Sequence, residues 1–360
     1  MSARMRTGRT GVAVLCALAA LTTGCSKTPR PFATDVPAGN PVGVAVSADG
    51  LVYFGGNAPF VGIRVINEDG RVELFAGTVP AKGTPIRKGD RFVETEDVGN
   101  PASMAITADG TLYTLDQLTE KVVRIRPDDK LAVLIDPARN DVHHPHAIAV
   151  DANGIVYMTE PVDNRVRRID AAGTSTSFAG NGLEGDGGDG GAATDASLAG
   201  PTGIAVDAAG NVYVGEATGN RIRRIDPSGI ITTYAGTGED GTGGDGGPAT
   251  AAQFTDIAAL AVDTVGNLYV VDTQRVRRID TAGIITTFAG TGEVGFDGDL
   301  GPAAAAKLCY PEGIAVDAAG RVYIADTFSD RIRRVATDGT IATIAGTRST
   351  EGEAECQPPG

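Results

Sequence analysis

The amino-acid sequence predicts an all-β fold made of six repeated, four-stranded antiparallel units. Three observations carry it. One sequence frame recurs six times. Glycine is abundant, at 50 of 360 residues. The apolar runs are short, punctuated by turn residues, and show no helical period. Self-similarity spaced a few tens of residues apart is the signature of a repeat architecture, in which each unit buries its faces on its neighbours.

The frame opens with PVGVAVSADGLVYF (41–54), PASMAITADGTLYT (101–114), PHAIAVDANGIVYM (145–158), PTGIAVDAAGNVYV (201–214), IAALAVDTVGNLYV (257–270) and PEGIAVDAAGRVYI (311–324). Gly50, Gly110, Gly154, Gly210, Gly266 and Gly320 hold one place in it, and Tyr53, Tyr113, Tyr157, Tyr213, Tyr269 and Tyr323 another. In the fourth unit the first strand is the GIAVD run. A turn through Gly210, which accepts positive φ without steric cost, leads to NVYV. The third strand is RIRRID (221–226), and ITTYAG (231–236) is the fourth. Radial four-stranded sheets around a channel satisfy this pattern, so the expected fold is a six-bladed β-propeller.

The consensus PxGIAVDxxGNVYVxDxxxxRIRRID resembles the NHL repeat, and six copies resemble the six-bladed NHL propeller. The resemblance covers about 41–346. It departs in the second unit, where Lys121-Val122-Val123-Arg124 replaces the arginine run, and in the fifth, which lacks the opening proline. The resemblance implies a fold, and NHL propellers that serve as extracytoplasmic sensor or interaction domains imply a role of that kind.

Outside the repeat, residues 1–24 read as a signal peptide: three arginines, then an apolar run from Gly11 to Gly24 too short to span a membrane. Leu21-Thr22-Thr23-Gly24-Cys25 resembles a bacterial lipobox, which makes Cys25 the expected lipidation site on the extracytoplasmic face of the cell membrane. The alternative is ordinary secretion. Residues 25–38 form a polar tether, 39–347 the propeller, and 348–360 a C-terminal tail. Cys309 and Cys356 are an even pair in an oxidising compartment and are expected to bond, two free thiols being the alternative.

Charge narrows the partners. The chain carries 45 acidic against 31 basic residues, a net charge of −14. Nucleic acid, which needs a basic footprint, is excluded, and contact with the membrane is expected through the lipid alone.

Several residues have chemical potential. Asp116, Glu160, Glu216, Asp272 and Asp326 close the second strands, and Arg165, Arg221, Arg275 and Arg331 open the third; repeated in nearly every unit, they are expected to pair structurally. Of the neighbouring arginines (Arg223-Arg224 and equivalents), one is expected between blades and one in water. Three Gly- and Asp-rich connectors (181–200, 237–254, 291–308) invite calcium but lack the EF-hand spacing, and read as blade-to-blade crossovers. His143, His144 and His146 are the only histidines and the candidate ligands of a transition metal.

The residue after each opening proline belongs at the channel mouth: Val42, Ala102, His146, Thr202, Ala258 and Glu312. Only His146 and Glu312 are ionisable there, on opposite blades, and they are the candidate catalytic pair. Pro145-His146 resembles the channel histidines of propeller lyases such as the peptidyl-hydroxyglycine amidating lyases, which place several histidines where this chain places one. Lys82, Arg87, Lys88 and Arg91, in the irregular 78–99 loop, are candidate binding residues. The sequence therefore points to a non-enzymatic, membrane-anchored binding or sensor module of the cell envelope. Its loop-rich face would meet a protein, peptide or glycan, and no cofactor is predicted. The alternative is a propeller lyase or hydrolase using a divalent metal, zinc or calcium, at the channel mouth.

Overall fold

The computed structural model describes residues 38–56, 62–67, 70–77, 93–346 and 356. Six sheets follow one another along the chain, each built from consecutive strands. Blade one contains β1 (Pro41–Val46), β2 (Val52–Gly56), β3 (Ile63–Ile66) and β4 (Val72–Gly77), with a short β5 (Val93–Glu94) added in parallel to β4. Blade two comprises β6 (Pro101–Ile106), β7 (Leu112–Asp116), β8 (Lys121–Ile125) and β9 (Leu131–Ile135). Blade three has β10 (Ile148–Val150), β11 (Val156–Glu160), β12 (Arg165–Ile169) and β13 (Ser175–Ala179). Blade four has β14 (Pro201–Val206), β15 (Val212–Glu216), β16 (Arg221–Ile225) and β17 (Ile231–Ala235). Blade five follows with β18 (Ile257–Val262), β19 (Leu268–Asp272), β20 (Arg275–Ile279) and β21 (Ile285–Ala289). Blade six closes the series with β22 (Gly313–Val316), β23 (Val322–Asp326), β24 (Arg331–Val335) and β25 (Ile341–Ala345). This is the six-bladed, four-stranded propeller expected from the repeat. The addition is β5, which covers an otherwise open sheet edge at the end of the irregular 78–99 segment.

The repeated residues explain the blade. Second strands such as β15 are buried along their whole length because blades cover both faces, so they read as near-continuous apolar runs. In blade four, Asp207 Oδ1 accepts the amides of Ala209 and Asn211 at 2.9 and 2.8 Å, while its Oδ2 accepts the Tyr213 hydroxyl at 3.1 Å. Gly210 turns the chain between them at φ 84°. The recurrent Asp, Gly and Tyr are therefore one hydrogen-bonded hairpin, repeated at Asp263–Tyr269 and Asp317–Tyr323. The tyrosines also pack across blades: Tyr213 sits in a cluster with Ile257, Leu260 and Phe254 of the fifth unit.

The Gly-Asp connectors are crossovers, and each passes through a single 3-10 turn: Ala193–Asp195, Ala249–Ala251 and Ala303–Ala305. They bond the outer edge of the following blade; Gly190 N–H donates to the Ile231 carbonyl at 2.8 Å, and Ala192 bridges Ile230. At least one aspartate in each has an arginine partner. Asp189, Asp245 and Asp299 accept from Arg223, Arg277 and Arg333 at 2.7, 2.6 and 2.8 Å.

One expectation about these arginines is corrected. Glu216 and Arg221 do stand opposite in register. The residue that reaches the buried acid, however, is the third of the strand: Arg167 to Glu160 (2.7 Å), Arg223 to Glu216 (3.5 Å), Arg277 to Asp272 (3.5 Å) and Arg333 to Asp326 (3.8 Å). The opening arginine turns to the connector instead, as Arg221 does towards Asp186 at 2.8 Å. Side-chain direction, not Cα pairing, decides the partner. Of the Arg223-Arg224 pair, Arg223 is fully buried and Arg224 is half-buried.

Among the described residues no strand is shared between the first and last blades. The ring closes through packing of Tyr323, Ala325 and Ile332 on Val44, Val52 and Phe54, and through the Thr327 hydroxyl donating to the Pro41 carbonyl at 2.8 Å. Among the described residues no helix is long and apolar enough to cross a membrane.

Candidate functional site at the channel mouth

The first strands line a central cavity of about 510 Å³, to which all six blades contribute. Val42, Ala102, His146, Thr202, Ala258 and Glu312 all face it, as their common place in the repeat requires. Backbone bonds to the second strands fix two of them: His146 N–H donates to the Thr159 carbonyl at 3.0 Å and Glu312 N–H to the Ala325 carbonyl at 3.1 Å. Hydroxyls stitch the blades around the channel. Thr159 donates to the Thr202 carbonyl at 3.0 Å, and Thr202 to the Ile257 carbonyl at 2.5 Å.

The buried acids of the second strands hold this rim. Glu160 accepts the His143 amide (3.1 Å), Asp272 those of Thr255 and Asp256 (3.0 and 3.3 Å), and Asp326 that of Cys309 (2.6 Å). Each lies just ahead of a channel-facing residue. The ion pairs within the blades are thus positioning elements for the site.

A third ionisable group, Asp256, joins His146 and Glu312 in the cavity. It sits directly before β18 in the one unit without an opening proline. Units one, two, three, four and six carry Asn40, Asn100, His144, Gly200 and Tyr310 at that place. An acid there was the signal that could have found it. The surrounding protein partly desolvates Asp256, which stays exposed to the channel, and the half-buried Glu312, raising both carboxyl pKa values, and Asp256 pushes Glu312 further up. His146 is exposed to the channel yet ringed by protein, and that desolvation lowers its pKa below 6.5; a hydrogen bond to the Thr202 backbone and the charge of Asp256 oppose the shift.

The three histidines diverge. His143 Nδ1 lies 3.2 Å from Asp163, and His144 Nδ1 3.1 Å from Glu120. Among the described residues no group of three or more His, Cys, Asp or Glu side chains is placed to hold a metal ion. Cys309 and Cys356 stand as a pair with Cα atoms 5.9 Å apart. Next to Cys309, Tyr310 meets Phe328 edge-to-face at 5.6 Å on the cavity rim. Cys25, Lys82, Arg87, Lys88 and Arg91 lie outside the described residues.

The Teneurin NHL domain model matches residues 100–243, 235–297 and 293–358. The chain belongs to the Teneurin NHL domain family. Among curated relatives, this NHL chain is 33% identical to Teneurin-m of Drosophila melanogaster over 45% of its own length and 6% of the relative's. It is 29% identical to Teneurin-3 of Danio rerio over 69% of its length and 10% of that protein's. The chain therefore spans a small part of the curated relatives it matches.

Solved structures share the NHL-type propeller fold at low identity. A Bacteroides thetaiotaomicron protein of unknown function superposes with TM-score 0.64 and 19% identity, over 88% of this chain and 72% of that one. An auxiliary nutrient binding protein from the same species gives 0.58 at 16%, over 85% and 70%. Virginiamycin B lyase from Staphylococcus aureus gives 0.53 at 20%, over 88% and 87%.

Within this NHL propeller the histidine environment makes a direct prediction. A proton NMR titration of the three histidines should give His146 a midpoint below 6.5, identified by its absence in His146→Gln. Asp256→Asn should lower it further by removing the charge that stabilises the imidazolium. Because the folded pKa is depressed, the neutral ring favours the fold above pH 6.5, and that contribution is lost as pH falls through the folded pKa. A midpoint above 6.5, or no response to Asp256→Asn, would show that His146 does not sit in this environment.

Proposed function

We propose that the protein is a lipid-anchored, extracytoplasmic binding module of the cell envelope whose ligand seat is the channel mouth. The observation that carries this reading is the cavity itself: six blades converge on a pocket in the size range of ligand sites, with small or aliphatic walls and a few convergent polar groups. The propeller holds that pocket on rigid strands, while loops that differ between units surround it. Nutrient-binding proteins among the structural neighbours are consistent with such a role.

Native mass spectrometry of residues 26–360 equilibrated with an envelope extract tests the binding function. The expected result is added mass that Ala258→Trp abolishes and that denaturation releases chemically unchanged. Absence of any channel-dependent adduct counts against it. The anchor is tested separately: Cys25→Ser should move the protein from the membrane to the soluble fraction and remove incorporation of a fatty-acid probe.

One observation favours a second reading. His146, Asp256 and Glu312 face one cavity, and an imidazole with two carboxyl groups is a set that general acid–base chemistry uses. A divalent-metal lyase or hydrolase at the same mouth would release its ligand as product. Elemental analysis of the purified protein would then find about one equivalent of metal that His146→Ala loses.

A further inference from the structure

Two acids at the channel mouth stand apart from the paired acids of the blades. Glu160, Glu216, Asp272 and Asp326 are clamped by arginines and backbone amides, and Asp116 by backbone amides and the Thr119 hydroxyl. Asp256 and Glu312 differ: neither carboxylate accepts a hydrogen bond from a described residue or forms a salt bridge with one. Among the described residues no lysine or arginine lines their cavity, and His146 is the one basic side chain that does. Two carboxyl groups facing one cavity, with no lysine or arginine among its described lining, leave a negative site that a cation from outside would balance.

The surroundings define what would compensate it. Val42, Ala102 and Ala258 give the cavity apolar wall against which the methylene stem of a long side chain can lie. Tyr310 and Phe328 offer ring faces and edges at the rim beside blade six, where a cation gains from the aromatic quadrupole. Across the mouth, the turns of blades two and three expose Leu118 (77%) and Val162 (68%). These are the repeat equivalents of Phe328, and the neighbour of Leu118, Gln117, lines the cavity.

We infer that the channel mouth receives the ammonium or guanidinium group of a lysine or arginine, presented by a partner polypeptide whose flanking apolar residues rest on this rim. This deepens the binding-module reading and rests on it. A polypeptide is the occupant because the acids lie on the side of blades five and six and the exposed aliphatics on that of blades two and three, so an occupant using both must span the mouth. The chain's net charge of −14 draws a basic partner towards it.

Isothermal titration of residues 26–360 at low and high salt tests the inference. The probes are capped pentapeptides Leu-Ala-X-Ala-Leu, with X as Lys, Arg, Gln or Glu, and n-butylamine. The Lys and Arg peptides should bind, more weakly at high salt, and at least about tenfold more weakly to the Asp256→Asn/Glu312→Gln double variant, the loss expected for charge-assisted hydrogen bonds. Ala258→Trp, checked for an unchanged far-ultraviolet spectrum and cooperative melt, should abolish binding. Gln or Glu peptides that bind as well as Lys, and are lost in Ala258→Trp, overturn the cationic class while leaving the cavity reading intact. Butylamine binding as tightly as the Lys peptide overturns the polypeptide occupant. Failure of every probe to distinguish the parent from Ala258→Trp overturns both this inference and the reading beneath it.

Discussion

Replacing Arg223 with Met should lower the unfolding free energy by about 3–5 kcal/mol, the loss seen when one partner of a buried ion pair is removed. Arg223 is completely buried, and its guanidinium joins three chain segments. It donates to the Ser197 and Gly187 carbonyls at 3.2 and 3.4 Å, to Asp189 at 2.7 Å and to Glu216 at 3.5 Å. Methionine fills similar volume but leaves two carbonyls and the Glu216 carboxylate without that donor.

The effect should depend on pH. Burial pushes Glu216 up to about 7, with Arg223 and the Ala199 amide pulling it back. A carboxyl raised in the folded state stabilises it fully below the unfolded pKa of 4.5, and that contribution is lost as pH rises through about 7. Without Arg223 the folded pKa climbs further, so the penalty should be smallest near pH 4.5 and grow towards pH 8. Adding Glu216→Gln to Arg223→Met should flatten this dependence. Urea denaturation at the two pH values is the measurement. A loss of under about 1 kcal/mol at pH 8, in the range of an exposed pair, would mean that the triad is solvated rather than buried.

The second large effect is expected at the seam between the last and first blades. A Cβ added to Gly313 would lie 2.1 Å from the Val42 carbonyl oxygen and 3.2 Å from the Ala325 methyl. Both the oxygen and β22 belong to packed backbone, so neither can yield without separating the blades. Gly313→Ala should therefore cost about 2–3 kcal/mol, the upper part of the range for overpacking. Gly203 holds the same place in blade four, but its added Cβ would meet the Leu260 side chain at 3.1 Å and the Ala259 backbone at 3.2 Å, a much milder approach. There the same substitution should cost about 1 kcal/mol, the lower end of that range. Because packing of β23 and β24 on β1 and β2 holds the seam among the described residues, Gly313→Ala should also speed limited proteolysis near β1. Equal costs at the two glycines would show that the closure is no tighter than an ordinary blade interface.

Much of this molecule is legible in the sequence because the repeat does the averaging that a single strand cannot. Gly210 and Tyr213 are informative only with their counterparts, which separate the scaffold from what varies upon it. The same alignment places His146 and Glu312 at the channel, since the residue after an opening proline has one environment six times over. It misses Asp256, which precedes the frame in a unit whose opening departs from the rest. It also assigns the buried acids to Arg165, Arg221, Arg275 and Arg331, because register specifies which Cα atoms face each other and says nothing of where a long side chain ends.

The sequence by itself determined the fold class, the number of blades, the turn chemistry and the channel-facing positions, all of which follow from short-range periodicity repeated along the chain. Only the tertiary structure decided the partners of the charged groups. Asp189 reaches Arg223 across 34 positions, and Asp256 acts on the pKa of His146 from two blades away. Such pairings depend on how neighbouring blades pack around the channel, and no local pattern encodes that geometry.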